Sequence, residues 1–199
     1  MDKRIAILEG FQAAPFIRKW HYSGKATRGS HHYFGWFIGK EMYAVADYGL
    51  PTNNHQAHGL ASELMINVTK DNLVELKRLC RVEPKQKVQL TQFLAHCHRI
   101  LKGVGVVYVM SFSDPAQGHD GGIYKAANFE HVGQTNPGLA CLGEDGQKHH
   151  RKYPFNYAKN NGCTIKEAYR ILRLKRLELP PKDRWLLCIN KRKRQWSLG

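Results

Sequence analysis

Asp114, His119 and Tyr124 lie close together in the chain and are residue types that could carry acid–base chemistry. A carboxylate can accept a proton, and a phenol can donate a hydrogen bond to developing negative charge or stack on a flat ligand. Asp114 ends the apolar run Val106-Val107-Tyr108-Val109-Met110-Ser111-Phe112-Ser113, and Gln117-Gly118-His119-Asp120-Gly121-Gly122 then leads to Tyr124. Glycines there permit tight backbone turns beside a ligand. Asp114-Pro115 is also a common way to open a turn, so a capping role for Asp114 stands beside the functional one. Arg78 is a fourth candidate. In Val74-Glu75-Leu76-Lys77-Arg78-Leu79-Cys80-Arg81-Val82, strand period puts Leu76, Arg78, Cys80 and Val82 on one face. A guanidinium among apolar neighbours must be paired or hold an anion. Glu75 and Glu63 have no evident partner and read as surface or salt-bridged carboxylates.

The run that ends at Asp114 is apolar, β-branched and aromatic, and predicts a strand buried on both faces. Open α/β sheets bind ligands beyond the carboxyl ends of such strands. Leu90, Phe93, Leu94, Cys97 and Leu101 recur with helical period, predicting an amphipathic helix before that strand and a parallel strand–helix–strand unit. Tyr33–Ile38 and Met42–Gly49 predict a hairpin. Phe16–Tyr22 reads as a short helix, and Pro51–Gly59 as a long polar loop of the sort that lies over sites. Thr164-Ile165-Lys166-Glu167 is a capping box opening a helix to about Leu177, with Ile165, Ala168 and Leu172 buried. Arg184–Ile189 reads as a closing strand.

The 199 residues suit a single domain, with a core over 1–140 and a basic helical extension over 141–199 that includes the closing strand. No apolar run approaches the ~20 residues that span a bilayer, so a soluble, intracellular protein is expected. Five scattered cysteines without a CxxC pair argue against a disulfide framework or a zinc knot. The net charge is +15, and Asp145–Gly199 carries a surplus of 11 positive charges against 4 in the rest. That asymmetry points to a polyanion, with nucleic acid the expected partner. Lys148, Arg151, Lys152 and Lys159 are interleaved with Tyr153, Phe155 and Tyr157, combining phosphate contacts with stacking rings. Lys166, Arg170 and Arg173 form an outward stripe, and Lys191 and Arg192 begin a basic tail. The His31-His32 and His149-His150 pairs read as solvated loop residues.

The order of elements resembles the Gcn5-related acetyltransferase fold, a mixed α/β sheet with flanking helices. Particular stretches resemble the Mom family of bacteriophage DNA-modification proteins, which shares that fold: Trp20-His21-Tyr22-Ser23-Gly24, Phe34-Gly35-Trp36-Phe37, Glu75-Leu76-Lys77-Arg78-Leu79, and Ser111-Phe112-Ser113-Asp114 through Gly118-His119, Ile123-Tyr124 and Asn128-Phe129. The resemblance implies conversion of the exocyclic amine of adenine in double-stranded DNA to a carbamoylmethyl (acetamido) derivative that blocks restriction, in the cytoplasm of the bacterial host. Arg78, Asp114 and Tyr124 match residues the family needs for activity. His21 and Tyr22 match a His-Tyr pair that helps hold a metal, and with Asp114 they would make an N/O set suited to iron. Val82–Lys102 has no glycine of the kind that lets backbone amides approach a pyrophosphate, which disfavours acyl-coenzyme A as group donor. An aminoacyl donor such as glycyl-tRNA is the alternative, because a carbamoylmethyl group on nitrogen is in atoms a glycinamide. Two other readings stay open: an acyltransferase of the same fold acting on tRNA, protein or a small amine, and a non-catalytic DNA-binding phage accessory protein.

Overall fold

The computed structural model describes residues 2–27, 29–52, 59, 62–69, 71–82 and 89–191. The loop expected over Pro51–Gly59 and the tail position Arg192 fall largely or wholly outside them, as do residues 83–88 of the glycine-free stretch. The chain forms two compact units. The first comprises Met1–Phe112, Gly121–Gly133 and Arg184–Gly199; the second comprises Ser113–Asp120 and Gln134–Asp183. The anticipated division at residue 141 had grouped the closing strand with the extension, whereas nearly all of that strand belongs to the first unit.

A seven-stranded mixed sheet organises the first unit. Its strands are β1 (Lys3–Leu8), β2 (Ser30–Ile38), β3 (Glu41–Gly49), β4 (Leu73–Arg81), β5 (Tyr108–Ser113), β6 (Glu130–Gln134) and, later in the chain, β10 (Asp183–Cys188). They lie in the order β1-β2-β3-β4-β5-β10-β6. The first four pair antiparallel, and β4 pairs parallel with β5 across the helix α2 (Leu90–Gly103). The parallel crossover, the hairpin and the α2 periodicity agree with the sequence reading. Phe93, Leu94, Cys97 and Leu101 on α2 are fully buried against Ala44, Ala46, Val74 and Val109. Burial of this kind stabilises by about 1.5–3 kcal/mol per large side chain. Cys97 and His98 are buried in this core, whereas His96 between Ala95 and Cys97 is only half-buried.

The opposite face is covered by α1 (Gly10–Trp20), through Ala13, Phe16 and Ile17 packed with Val45 and Cys80. This helix starts six residues before the expected Phe16, because Glu9 and Gln12 cap each other reciprocally and Pro15 is accommodated inside. Strand β1 has no clear alternation and escaped the sequence reading.

Strict alternation fails in β4. Asp47 pairs with Arg78 and Tyr48 with Leu76, leaving Lys77 as an extra residue opposite the bulged register. Leu76 and Leu79 consequently pack on the α2 side and Cys80 on the α1 side, so the expected sharing of one face by Leu76 and Cys80 is corrected. A β-bulge inserts one residue and re-aims the side chains beyond it.

The second unit holds a three-stranded antiparallel sheet in the order β8-β7-β9, made from β7 (Gly138–Leu142), β8 (Lys148–His150) and β9 (Lys175–Leu179). Helices α4 (Tyr153–Asn161) and α5 (Ile165–Ile171) lie between β8 and β9 in sequence. The Thr164/Glu167 capping box is present. The helix it opens is shorter than expected, because Leu172 caps it and Arg173 takes a left-handed φ of 48°. Residues 175–179 are then strand, placing Arg176 on β9. Ile165 is 47% exposed, so only Ala168 of the expected stripe is fully buried. Among the described residues, no helix is long and apolar enough to cross a membrane.

Candidate active site

The β4–β5 ladder is short. Its last paired rung joins Glu75 to Met110, although β4 runs on to Arg81 and β5 to Ser113. Beyond that rung a side chain replaces the backbone ladder. The Ser111 hydroxyl donates to the Leu76 carbonyl at 2.9 Å and lies 2.9 Å from the Tyr124 hydroxyl, which donates to the Phe112 carbonyl at 3.3 Å. Tyr124 comes from the short helix α3 (Gly122–Ala126). Its ring stacks on Trp185 at 5.7 Å and meets the edge of Phe129 at 5.5 Å.

Gly121 makes this arrangement possible. Its φ is +74°, and a Cβ there would run into the Trp185 indole, so side chains are excluded on two grounds. Burial pushes the Tyr124 phenol up, the Ser111 hydroxyl draws it partly back, and the nearby Tyr22 and Glu75 add to the rise. At neutral pH Tyr124 is a protonated donor.

Glu75 is the member of this group that the sequence reading missed. It is 9% exposed, and its carboxylate accepts the Thr52 amide at 2.7 Å. Its signal was available only as a carboxylate inside a strand that pairs on both sides. Glu63, by contrast, is salt-bridged as read, to Arg184 at 2.8 Å. Tyr22 is 57% exposed and its ring lies 4.4 Å from that of His21. His21 holds the Ser23 hydroxyl through Nδ1 at 2.8 Å.

Arg78 is half-buried, donating to the carbonyls of Lys77 at 2.7 Å and Lys25 at 3.3 Å. Opposite it in register lies Asp47, fully buried, which accepts from the Thr27 hydroxyl. The remaining Asp47 oxygen has no hydrogen-bond partner among the described residues. Burial pushes the neighbouring Cys80 thiol up to about 12, with Asp47 adding to the rise and Arg78 opposing it.

Asp114 and His119 belong to the second unit, and Tyr124 to the first. Asp114 performs the capping role foreseen for Asp-Pro. One of its oxygens accepts the Ala116 amide at 3.1 Å, capping the 3-10 turn Pro115–Gln117, and the other lies 3.0 Å from Lys182 Nζ. His119 is exposed, and its amide donates to the Asp114 carbonyl at 3.3 Å.

The expected ligand set His21, Tyr22 and Asp114 does not fit a metal well. Both Asp114 oxygens are engaged by an ammonium and an amide, and His21 Nδ1 is engaged by Ser23. Among the described residues no group of three or more His, Cys, Asp or Glu side chains is arranged to hold an ion.

The basic positions of the second unit are all exposed: Lys148 on β8, Arg151 and Lys152 before α4, Lys159 on it, Lys166 and Arg170 on α5, and Arg173 beyond. Arg173 is tied to Glu144 at 3.0 Å. His149 stacks on Tyr153 at 4.3 Å with rings 11° from parallel, and Phe155 is 52% exposed. Both His pairs lie on strands (β2 and β8) and not in loops as read. Burial lowers the His32 pKa, with His31 contributing. Lys191 is exposed in the first unit.

The model of the Mom protein family matches residues 2–198. The chain belongs to that family. Methylcarbamoylase mom of Escherichia phage Mu, a Mom relative, is 22% identical over 163 residues, covering 81% of this chain and 65% of that protein's length. Solved structures similar to this Mom family chain include an acetyltransferase of Salmonella typhimurium with acetyl-CoA (TM-score 0.53, 8% identity, 96% of each chain covered). An N-acetyltransferase of Staphylococcus aureus is similar at TM-score 0.52 and 10% identity, over 96% of this chain and 100% of that one. Such low identities speak to fold alone, and the Mom family chain has the expected acetyltransferase-like fold.

Proposed function

We propose that the chain transfers a carbamoylmethyl group to the exocyclic amine of adenine in double-stranded DNA, and that the product shields phage DNA from host restriction. Membership of the Mom family and the name of the phage Mu relative support this reading. The observation that carries it is the Ser111–Tyr124 bridge where the β4–β5 ladder stops, with buried Glu75 on the last paired rung.

The adenine amine shares its lone pair with the ring and is a poor nucleophile. It needs a proton acceptor and must leave the base stack, which an everted nucleotide achieves. In this reading Glu75 takes the amine proton as the new carbon–nitrogen bond forms and the donor's leaving group departs. Tyr124, kept protonated by its surroundings, donates to the base or to the developing negative charge. Arg78 supplies positive charge for an anionic group of donor or substrate. Asp114 acts as a positioning residue that shapes the Pro115–His119 turn. The exposed cations and rings of the second unit hold the duplex through its phosphates. The new bond is to the methylene carbon of the transferred group, so the donor loses its leaving group from that carbon. Attack at the acyl carbon of glycyl-tRNA or an acyl-coenzyme A would instead leave an amide on the base, and supplying each compound separately distinguishes the two linkages. No step is assigned to iron.

Mass spectrometry of nucleosides from DNA of cells expressing the protein tests the reading. A deoxyadenosine heavier by one carbamoylmethyl group, absent with Tyr124→Phe, is expected. Unmodified DNA alongside folded wild-type protein overturns it.

A further inference from the structure

The first unit carries a recess away from the residues given roles above. A cavity of about 360 Å³ opens between β1, β2 and one side of α2. That volume lies in the lower part of the range for small-molecule sites, about 300–1,000 Å³. Gln92, His96 and Arg99 line it from α2 at spacings of four and three, which puts them on one helix face. Lys3 lines it from β1. Ile5 and Trp36, paired directly across β1 and β2, supply an apolar wall.

Two features point to an anionic ligand with a flat apolar part. No carboxylate is among the described residues lining the recess, whereas Lys3 and Arg99 bring full positive charges and Gln92 and His96 bring donors. Arg4 also borders it, with its guanidinium over the Phe37 ring at 4.5 Å. Trp36 is 6% exposed, and its indole Nε1–H, which can only donate, meets no acceptor among the described residues. A buried donor without an acceptor is costly and rare.

We propose that this recess binds one nucleotide unit, its phosphate held by Arg99 and Lys3 and its base against the Ile5–Trp36 wall. The unit comes either from a free nucleotide or from a polynucleotide strand. The site is independent of the adenine-modification reading, since none of its residues has a role there.

Titration calorimetry on the full-length protein tests it, with adenosine 5′-monophosphate, adenosine and a single-stranded tetranucleotide as probes. A phosphate site binds the monophosphate or the tetranucleotide at least tenfold more tightly than adenosine. Arg99→Ala and Lys3→Ala each weaken that binding roughly tenfold, whereas Lys19→Ala on α1, a residue outside the recess, does not. Loss confined to the monophosphate assigns a free nucleotide; loss confined to the tetranucleotide, or shared by both, assigns a strand. Both substituted side chains are exposed, and matched thermal melts with the wild type establish that the variants fold. Wild-type protein that binds neither phosphate-bearing probe better than adenosine, or affinities unchanged in the Lys3→Ala/Arg99→Ala double variant, overturns the proposal.

Discussion

Ser111 and Tyr124 stand hydroxyl to hydroxyl at 2.9 Å, and through Ser111 the phenol is tied to the Leu76 carbonyl on the neighbouring strand. A catalytic-type side chain therefore closes the seam that backbone pairing leaves open. Tyr124→Phe keeps the stacking on Trp185 and Phe129 and removes only the hydroxyl. Stability should fall by about 1 kcal/mol, while DNA modification falls by roughly a hundredfold or more. Thermal melting and nucleoside mass spectrometry on the same preparation separate the two effects, and retention of near wild-type modification would remove Tyr124 from the mechanism.

Glu75→Gln makes a cleaner cut. The amide oxygen of Gln can still accept the Thr52 amide, so the local fold is kept while the basic oxygen is lost. Modification should drop by about 10²–10⁴. Glu75→Ala should in addition destabilise by about 1–3 kcal/mol, because the Thr52 amide loses its acceptor. Equal activity of the Gln variant and the wild type would argue that Glu75 is structural.

Asp114 and Lys182 pair at 3.0 Å, with side chains 17% and 46% exposed. Partly exposed ion pairs contribute about 0–1 kcal/mol, so Lys182→Met should change stability little. Asp114→Ala also removes the cap on Ala116 and should cost about 1–2 kcal/mol. Asp114→Asn keeps a capping oxygen. Should it restore both stability and modification, Asp114 acts through the turn; should it restore stability alone, the charge itself is needed.

Acid should weaken the fold through His98. Its ring lies between Tyr48 at 6.1 Å and Phe129 at 5.7 Å, and burial lowers its pKa from 6.5 to about 4. The folded value lies below the unfolded one, so the unfolded chain binds more protons between them. Stability is complete above about pH 6.5 and falls as pH drops toward 4, by about 3 kcal/mol in all. His98→Phe should flatten this part of the curve, read by denaturant unfolding at stepped pH. An unchanged acid slope in that variant would shift the effect to other groups.

The duplex-binding reading predicts unequal contributions from neighbouring arginines. Arg170 is exposed on α5, whereas Arg173 is held by Glu144 at 3.0 Å. Arg170→Ala and Lys166→Ala should each reduce the salt slope of DNA affinity by about one. Arg173→Ala should reduce it less. Equal slopes in all three variants would place the phosphates elsewhere.

Much of the first unit was legible because its signals are local and periodic: the α2 stripe from Leu90 to Leu101, the hairpin around Gly39, and the apolar run ending at Ser113. The Asp114 cap was visible as Asp-Pro. Other features depend on long-range pairing. The burial of Glu75 follows from strands on both sides of β4, and a carboxylate alternating with Lys77 along a strand looks solvated until those partners are in place. The bulge at Lys77 leaves no mark in composition, so the faces of Arg78 and Cys80 were read on a strict two-residue period. The α5 helix was overextended because Arg173 gives no warning of a left-handed turn, and β9 is too charged to signal a strand.

Lys77 is the surplus residue that lets β4 bend between Leu76 and Arg78 while both keep their places opposite β3. Deleting that one codon would straighten the strand into an unbroken zigzag yet leave Leu76 opposite Tyr48 and Arg78 opposite Asp47, with Leu79 still toward α2 and Cys80 still toward α1. A relative one residue shorter between Glu75 and Arg78 should therefore keep both side chains on the same faces and differ only in the local curl of the strand.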